Sequence, residues 1–265
     1  DLVLKEIEKL VKNNIKEIVI SGIHIGYYGK DLTTEASNKI SLKTLLHNIF
    51  VNIDGQYRIR LSSLEPNEID EELLDILKHN SNKFCDHFHI PLQSGSDKIL
   101  SLMNRKYTTR LYKNVIDLIR QYFPCCNIGT DVIVGFPQES DTDFNITYEF
   151  INDVNLNYLH VFPYSDRKGT LAIKMPNKVN PNLIKSRVQS LLVLSRELNI
   201  EYSKSFIGKQ VEVLWENTML DNRAQQGTTR NYLNAIRYSK IQSGMITTET
   251  VKNILIKEQD AYLII

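Results

Sequence analysis

The sequence predicts an α/β protein: βαβ units with a parallel sheet, followed by a small antiparallel β-barrel domain. Short β-branched segments alternate with amphipathic segments from residue 2 to residue 206. Each strand-like segment ends in a polar or glycine-rich loop, and beyond residue 208 the pattern changes to short strands only. Strands that alternate with helices are typical of βαβ units and a parallel sheet with right-handed crossovers.

The predicted elements follow from the spacing and type of the apolar residues. Helical spacing predicts a helix, whereas continuous or alternating β-branched residues predict a strand. The predicted helices are residues 2–13, 41–50, 68–80, 110–123, 142–154 and 181–206. The predicted strands are residues 16–21, 57–63, 87–93, 127–136 and 158–164. Asn180 is a predicted N-cap, and Pro181 suits the first position of the last helix.

The last segments predict a second domain. "KQVEVLWEN", "NYLNAIRYS", "TVKNILIKE" and "AYLII" are typical of short antiparallel strands, and closure into a barrel would remove their edges. We therefore predict one domain over residues 1–205 and another over residues 206–265.

Composition excludes several classes of protein. The 265 residues carry a formal charge of +1 and contain no apolar run of the roughly 20 residues that a membrane helix needs. Three cysteines without regular spacing argue against a disulfide framework and favour a reducing compartment. We expect a cytoplasmic monomer without a membrane partner.

The five loops that follow the predicted strands are the candidate site, because ligands of parallel α/β folds sit at the carboxyl ends of the strands. Glu65 is held extended by Pro66, although a surface acid would have the same pattern. Gln93 and Ser94 follow a strand, Ser96 is a candidate cap, and Arg105 follows an apolar helix. A cap and a solvated arginine explain these residues equally well.

Further candidates lie in the last two strands. Asp131 occupies a buried-looking strand and needs a partner, so a structural hydrogen bond and a binding role are both open. Phe162, Pro163 and Tyr164 suit stacking on a base, and a core aromatic cluster is the alternative. Cys85, His87 and His89 have a spacing seen in metal sites but also in plain strand cores, and we predict no metal site there.

Five motifs together are specific. "VISGIHIGYYG", "RIRLSSLEPNEI", "HIPLQSGSDKILSLMNRKYT", "GTDVIVGFP" and "HVFPYSDRKGT" resemble, in order and spacing, the radical-SAM methylthiotransferase family. The "SGIHIGYYG" loop is most similar to the branch that modifies threonylcarbamoyladenosine in tRNA. The resemblance implies a partial barrel of radical-SAM type with its first strand missing, followed by a TRAM-like RNA-binding domain. It also implies transfer of a methylthio group to carbon 2 of an adenine beside the anticodon.

The resemblance implies S-adenosylmethionine and 4Fe–4S clusters as cofactors, with an electron donor to reduce them. It assigns cofactor-binding roles to loop residues of all five strands: Ser21, Gly22, Ile23, Glu65, Gln93, Ser94, Arg105, Val134, Gly135, Phe136, Phe162, Pro163 and Tyr164. Among these, Arg105 suits the cofactor carboxylate, and the last six residues would form the adenine wall.

Two departures from the family pattern matter. The cysteine loop C-x-x-x-C-x-x-C is not present in this sequence, so the cluster ligands would lie outside the chain, and we expect a carboxy-terminal fragment that is inactive alone. Gln138 stands where the family usually has glycine, which puts the conformation of that loop in question.

The tail is the predicted contact for the tRNA anticodon stem-loop. Positive and negative charges nearly cancel there, so the prediction rests on donors beside a stacking ring. The predicted RNA-binding residues are Lys209, Arg230, Asn231, Tyr232 and Arg237.

Three alternatives stay open at this stage. One is a methylthiotransferase that acts on isopentenyl-adenosine, and another is a non-catalytic RNA-binding remnant. The third is a metal-free barrel enzyme with Glu65 or Asp131 as its base, which we rank last because no nucleophile–base pair stands out.

Overall fold

The computed structural model describes residues 2–30, 40–258 and 260–265. Its helices are α1 Leu2–Lys12, α2 Leu42–Asn52, α3 Glu71–His79, α4 Asp97–Leu102, α5 Thr109–Tyr122, α6 Asp141–Asp153 and α7 Pro181–Lys204. The strands that alternate with them are β1 Glu17–Ile20, β2 Arg58–Leu61, β3 His87–His89, β4 Asn127–Val134 and β5 Tyr158–Pro163.

These five strands form one parallel series in chain order. Parallel ladders join β1 to β2, β3 to β4 and β4 to β5. Isolated parallel bridges, Ile59 with Phe84 and Ser63 with His89, connect the β2 and β3 regions. The predicted partial parallel barrel is therefore confirmed. We call the carboxyl ends of β1–β5 the upper end and their amino ends the lower end.

Alternation along the strands separates two faces. One face carries apolar residues such as Ile59, Phe88 and Val132, which are buried in the main hydrophobic core with helices α2, α3 and α5. The other face carries polar side chains in every strand from β2 to β5. This polar face is the lumen of the partial barrel, and its residues include Arg58, Arg60, His87, His89, Asp131, Tyr158 and His160.

Most helices begin at a capping side chain. Ser41, Asp70, Thr108 and Ser140 each accept a hydrogen bond from a backbone N–H in the first turn. The predicted cap Asn180 does the same for α7. Ser96 is different: its hydroxyl donates to Asp143 at 2.9 Å instead of capping α4. The expected cap is thus used to attach α4 to α6.

The second domain is a six-stranded sheet, composed of β6 Gln210–Leu220, β7 Ala224–Thr229, β8 Asn234–Arg237, β9 Ile246–Thr250, β10 Asn253–Lys257 and β11 Asp260–Ile264. Their order is β10-β11-β8-β7-β6-β9. All pairs are antiparallel except β11 with β8, which is parallel because β11 inserts between β10 and β8. The sheet is therefore mixed, and no ladder between described residues joins β9 to β10 to close it. The division at residue 205 stays a prediction.

The second domain packs on the lower end of the barrel. Arg58 donates to the carbonyl oxygen of Thr228 at 2.8 Å, and Arg60 donates to that of Arg230 at 3.0 Å. Both guanidinium groups also bind the carboxylate of Glu17, at 2.6 and 2.8 Å. We call Glu17, Arg58 and Arg60 the lower network. In the described part of the chain, no helix is both long and apolar enough to cross a membrane.

Candidate functional site

A cavity of about 610 Å³ opens at the upper end, beside β3, β4 and β5. Six of the residues that the sequence predicts for the site line it: Gln93, Arg105, Phe136, Phe162, Pro163 and Tyr164. Asp131, Ile133, Leu171 and Met175 also contribute to its wall. The volume lies in the range of small-molecule sites, about 300–1,000 Å³, and an apolar wall with few polar groups is typical of them.

Gln93 reaches the cavity from a left-handed backbone conformation, with φ of 66°. Its N–H donates to the carbonyl of Asp131 at 2.8 Å, and its carbonyl accepts from Ile133 at 2.9 Å. These two bonds hold Gln93 against β4 in a region that non-glycine residues rarely occupy. Strain of this kind clusters at binding sites.

Arg105 and Glu65 form an ion pair, with Nη1 and Oε1 3.1 Å apart. The Arg105 side chain keeps 30% of its surface exposed, and it lines the cavity. Glu65 adjoins the cavity through Arg105, and its backbone N–H donates to the Glu68 carboxylate at 3.0 Å. The two residues that the sequence singles out are therefore partners.

Ser94, Val134 and Gly135 are predicted site residues that do not line this cavity. Ser94 is buried and lies 3.2 Å from the Thr147 hydroxyl. Gly135 has φ of 81° and donates its N–H to the carboxylate of Glu139. Burial raises the pKa of Glu139, against the effect of its buried ion pair with Arg187.

Gln138 also adopts a left-handed conformation, with φ of 71°. Its N–H donates to Asn177 at 3.0 Å, and its carbonyl accepts from Lys98 at 3.1 Å. The loop thus keeps a conformation that favours glycine although its residue is glutamine.

Ser21, Gly22 and Ile23 line a different cavity, of about 520 Å³, which lies between β1 and α1. Their predicted role in cofactor binding stays a prediction. The close approach that the glycine-rich loop suggests is real at Gly26, where an added Cβ would lie 2.2 Å from the Glu68 carboxylate. The loop after β1 is therefore packed on the loop after β2.

Below the upper cavity, four side chains of the lumen meet, and His87 adjoins them. Asp131 Oδ1 lies 3.0 Å from His89 Nε2 and 3.4 Å from His160 Nδ1. Tyr158 Oη lies 3.3 Å from His89 Nδ1 and 2.8 Å from His87 Nε2. We call His89, Asp131, Tyr158 and His160 the lumen cluster.

The geometry of the lumen cluster has a local origin and an electrostatic consequence. Gly129 makes room for Tyr158, since a Cβ there would lie 1.9 Å from the ring. Burial opposes ionisation of Asp131, yet the hydrogen bonds from His160 and His89 outweigh it and hold the pKa of Asp131 below its usual range. The ligand atoms of His89, Asp131 and His160 lie close enough together to hold a metal ion.

Sequence reasoning considered Asp131 and His89 separately and missed His160. Strand alternation in the sequence could have placed His160 on the same face as His89 and Asp131, since alternate residues of a strand share one face. What the sequence could not show was the register that brings His160 level with Asp131.

The five residues predicted to bind RNA lie in different environments. Arg230 donates to the carbonyl of Phe84 at 2.6 Å, and Asn231 is buried with its amide on Tyr202 at 2.8 Å. Arg237 pairs with Glu249 at 3.2 Å. Lys209 is exposed, and Tyr232 is half exposed, with its ring 4.7 Å from the Arg60 guanidinium.

Residues 1–151 match the family model described as Radical SAM superfamily. The chain belongs to the Radical SAM superfamily. The fold agrees: coproporphyrinogen III oxidase (HemN) of Escherichia coli, a radical SAM enzyme, superposes with a TM-score of 0.53 at 16% identity. That superposition covers 78% of this chain and 48% of the oxidase.

Two curated relatives show the more specific similarity of this radical SAM chain. It is 36% identical over 237 residues to threonylcarbamoyladenosine tRNA methylthiotransferase MtaB of Bacillus subtilis, covering 88% of this chain and 51% of the relative. It is 37% identical over 226 residues to tRNA-2-methylthio-N(6)-dimethylallyladenosine synthase of Natranaerobius thermophilus, covering 85% and 49%. The chain spans about half the length of these relatives.

The radical SAM superfamily uses S-adenosylmethionine and a 4Fe–4S cluster, and the two fit this chain differently. The upper cavity, with an arginine beside aromatic walls, fits a charged nucleoside. The cysteines do not fit a cluster: Cys85 and Cys126 are buried, while Cys125 is exposed. Burial raises the pKa of both Cys85 and Cys126 to about 12, whereas cluster ligands are thiolates.

Proposed function

We propose that this chain provides the S-adenosylmethionine-binding and RNA-binding part of a tRNA methylthiotransferase. The proposed reaction adds a methylthio group to carbon 2 of threonylcarbamoyladenosine beside the anticodon. The similarity to methylthiotransferases over more than four fifths of the chain supports the reaction class. The upper cavity is the observation that carries the proposal, because it combines a cation with an aromatic wall at the end of the sheet where parallel α/β folds bind ligands.

In this proposal the residues of the upper cavity bind and orient S-adenosylmethionine. Arg105 binds the carboxylate through its partly exposed guanidinium, which Glu65 holds in place. Phe136 and Phe162 flank the adenine, and Gln93 reaches the ribose. The bound cofactor would supply the radical and the methyl group of the reaction.

We also infer that the chain does not complete the reaction by itself. Its three cysteines do not provide a cluster site, for the reasons of burial and protonation given above. The cluster ligands and the electron donor would come from elsewhere.

The proposed RNA contact involves fewer residues than the five that the sequence predicts. Arg230, Asn231 and Arg237 already have protein partners. Lys209 and Tyr232 are the two of the five that keep a substantial exposed surface, so we assign the anticodon stem-loop contact to them first. Phosphate contacts weaken steeply as salt rises, so a binding assay at low and high salt tests this assignment.

Isothermal titration with S-adenosylmethionine tests the cavity. We expect the chain to bind the cofactor, and Arg105→Ala to weaken binding about 10-fold or more, since a charge-assisted hydrogen bond is lost. The matched control is Arg110→Ala, which removes an exposed arginine from the start of α5. No binding by the unmodified chain, or equal binding by Arg105→Ala, would contradict the proposed site.

A further inference from the structure

We propose that His89, Asp131 and His160 of the lumen cluster form a binding site for one divalent transition-metal ion of the zinc type. None of the three residues belongs to the predicted cofactor-binding set. The inference goes beyond the proposed function and is independent of it, because it requires neither S-adenosylmethionine nor RNA.

The chemistry of the three side chains selects the class of metal. Two imidazoles and one carboxylate are a donor set typical of Zn²⁺ and related transition metals. Mg²⁺ and Ca²⁺ prefer oxygen ligands, so this set favours the transition metals over them. Zinc sites with three protein ligands leave the next coordination position to water or to a further ligand, whereas closed structural sites have four protein ligands. The proposed site is therefore of the open kind.

The distances within the lumen cluster fit a single ion. Asp131 Oδ1 lies 3.0 Å from His89 Nε2 and 3.4 Å from His160 Nδ1, and the three ligand atoms all lie within 4.8 Å of one another. Ligands about 2.1 Å from one ion are about 3.0 Å apart at a right angle and about 3.4 Å apart at the tetrahedral angle. The shorter contact would also suit a hydrogen bond, whereas the longer one exceeds the usual N···O distance of about 2.7–3.2 Å. One ion accounts for both.

The strand register brings the three ligands together. His89 on β3 pairs with Gly129 of β4, and Asp131 follows Gly129 by two residues on the same face. Asp131 and His160 pair directly across β4 and β5. The ligands thus project from three adjacent strands, and sites on strands are held more precisely than sites on loops.

Tyr158 orients the His89 ring for this role. Its hydroxyl lies 3.3 Å from His89 Nδ1 and 2.8 Å from His87 Nε2, so it can accept from the first ring and donate to the second. This arrangement places the proton of His89 on Nδ1 and leaves the Nε2 lone pair to bind the ion. Histidines that bind metals usually donate their other ring N–H to a neighbouring acceptor in this way.

An ion can reach the lumen cluster from outside. Asp131 lines the upper cavity, and the His160 side chain keeps 54% of its surface exposed. This exposure also lets the Nε2–H of His160 bond water while Nδ1 binds the ion. Arg60 faces the lumen from β2, but the Glu17 carboxylate binds it at 2.8 Å and offsets its charge.

The test measures metal binding by the 265-residue chain, prepared without a histidine tag and stripped with a chelator. All proteins carry Cys125→Ser, because Cys125 is an exposed thiol that could bind Zn²⁺. Titration against a chromophoric chelator should show one Zn²⁺ per chain, and Mg²⁺ in excess should not displace it.

Three variants test the assigned residues. Tyr158→Phe should weaken Zn²⁺ binding about 10–100-fold, as expected for loss of a bond that supports a ligand. His160→Ala and Asp131→Asn each remove a ligand and should weaken it further. The matched control His47→Ala alters an exposed histidine on α2 and should bind as the reference chain does. Circular dichroism checks that each variant remains folded.

The outcomes decide the inference without reference to the proposed function. If the reference chain binds no Zn²⁺, or if folded His160→Ala and Asp131→Asn bind it equally well, the three residues are a hydrogen-bonded cluster and the site is wrong. Co²⁺ in place of Zn²⁺ should give d–d absorption without a thiolate charge-transfer band. A thiolate band would place the ion on a cysteine and would also overturn the assignment.

Discussion

The charged side chains at the two ends of the barrel differ in their burial and in the number of partners that they bond. At the lower end, Glu17 meets two buried arginines, which also donate to carbonyl oxygens and to the Glu212 carboxylate of the second domain. At the upper end, Glu65 and Arg105 form a single, partly exposed pair beside an open cavity. Charged groups that already have several protein partners stabilise the fold, whereas a partly exposed charged group can still bind a ligand.

Breaking the lower network should have the largest effect on stability. Arg60→Ala removes a buried guanidinium and leaves Glu17, 14% exposed, with one arginine partner; removal of one member of a buried ion pair costs about 3–5 kcal/mol. We expect the free energy of unfolding in urea, followed by circular dichroism, to fall by that amount. The matched change at the upper end, Arg105→Ala, should cost less than about 1 kcal/mol. An equal loss of unfolding free energy in the two variants would contradict the difference between the two ends.

The pH dependence of stability should reveal the lower network again. Burial opposes ionisation of Glu17, but Arg60 and Arg58 outweigh it and hold the pKa of Glu17 below its usual range. The stabilisation is therefore complete above the unfolded pKa of about 4.3, and it is lost as pH falls through the lower native value. Urea midpoints measured from pH 6 down to pH 3 should fall less steeply in Glu17→Gln. Parallel curves for the two proteins would contradict this origin.

At the upper end, the strained loop offers a gain in stability. Gln138→Gly places glycine where φ is 71°, and relief of a left-handed conformation is worth about 1 kcal/mol. The urea midpoint should rise, while Gln56→Gly, an exposed change elsewhere, should not raise it. A lower midpoint for Gln138→Gly would mean that the side chain, and not the backbone bonds, holds the loop.

The smallest effect should come from the Glu65–Arg105 pair itself. A double-mutant cycle with Glu65→Gln and Arg105→Ala should give a coupling free energy of about 0.2–1 kcal/mol, as for other exposed pairs. A coupling above about 2 kcal/mol would show that the upper pair is as structural as the lower network, and Arg105 would be less available to a cofactor.

The sequence predicts the elements of this molecule better than the contacts between them. The strand alternation places the five parallel strands, and caps such as Asn180 place the helix starts. The lower network could not be predicted from these local patterns. Glu17 and Arg58 lie 41 residues apart, and the carbonyl of Thr228 that Arg58 bonds belongs to the second domain.

The predicted site shows the same limit. Gln93 and Arg105 meet at one cavity because strand ends converge, which the pattern predicts. Arg230, by contrast, has the composition of an RNA-binding arginine but bonds carbonyls of the barrel. Local sequence shows that an arginine is present, but it does not show which neighbouring domain uses it.

Part of the contact between the two domains is made with main-chain atoms. Arg58 and Arg60 bind the carbonyl oxygens of Thr228, Thr229 and Arg230, and every amino acid carries the same carbonyl group. The partly exposed side chain of Thr228 can therefore be replaced without removing these bonds, provided that the path of the backbone is kept. A change of an exposed side chain on the sheet would therefore leave these backbone contacts to the barrel in place.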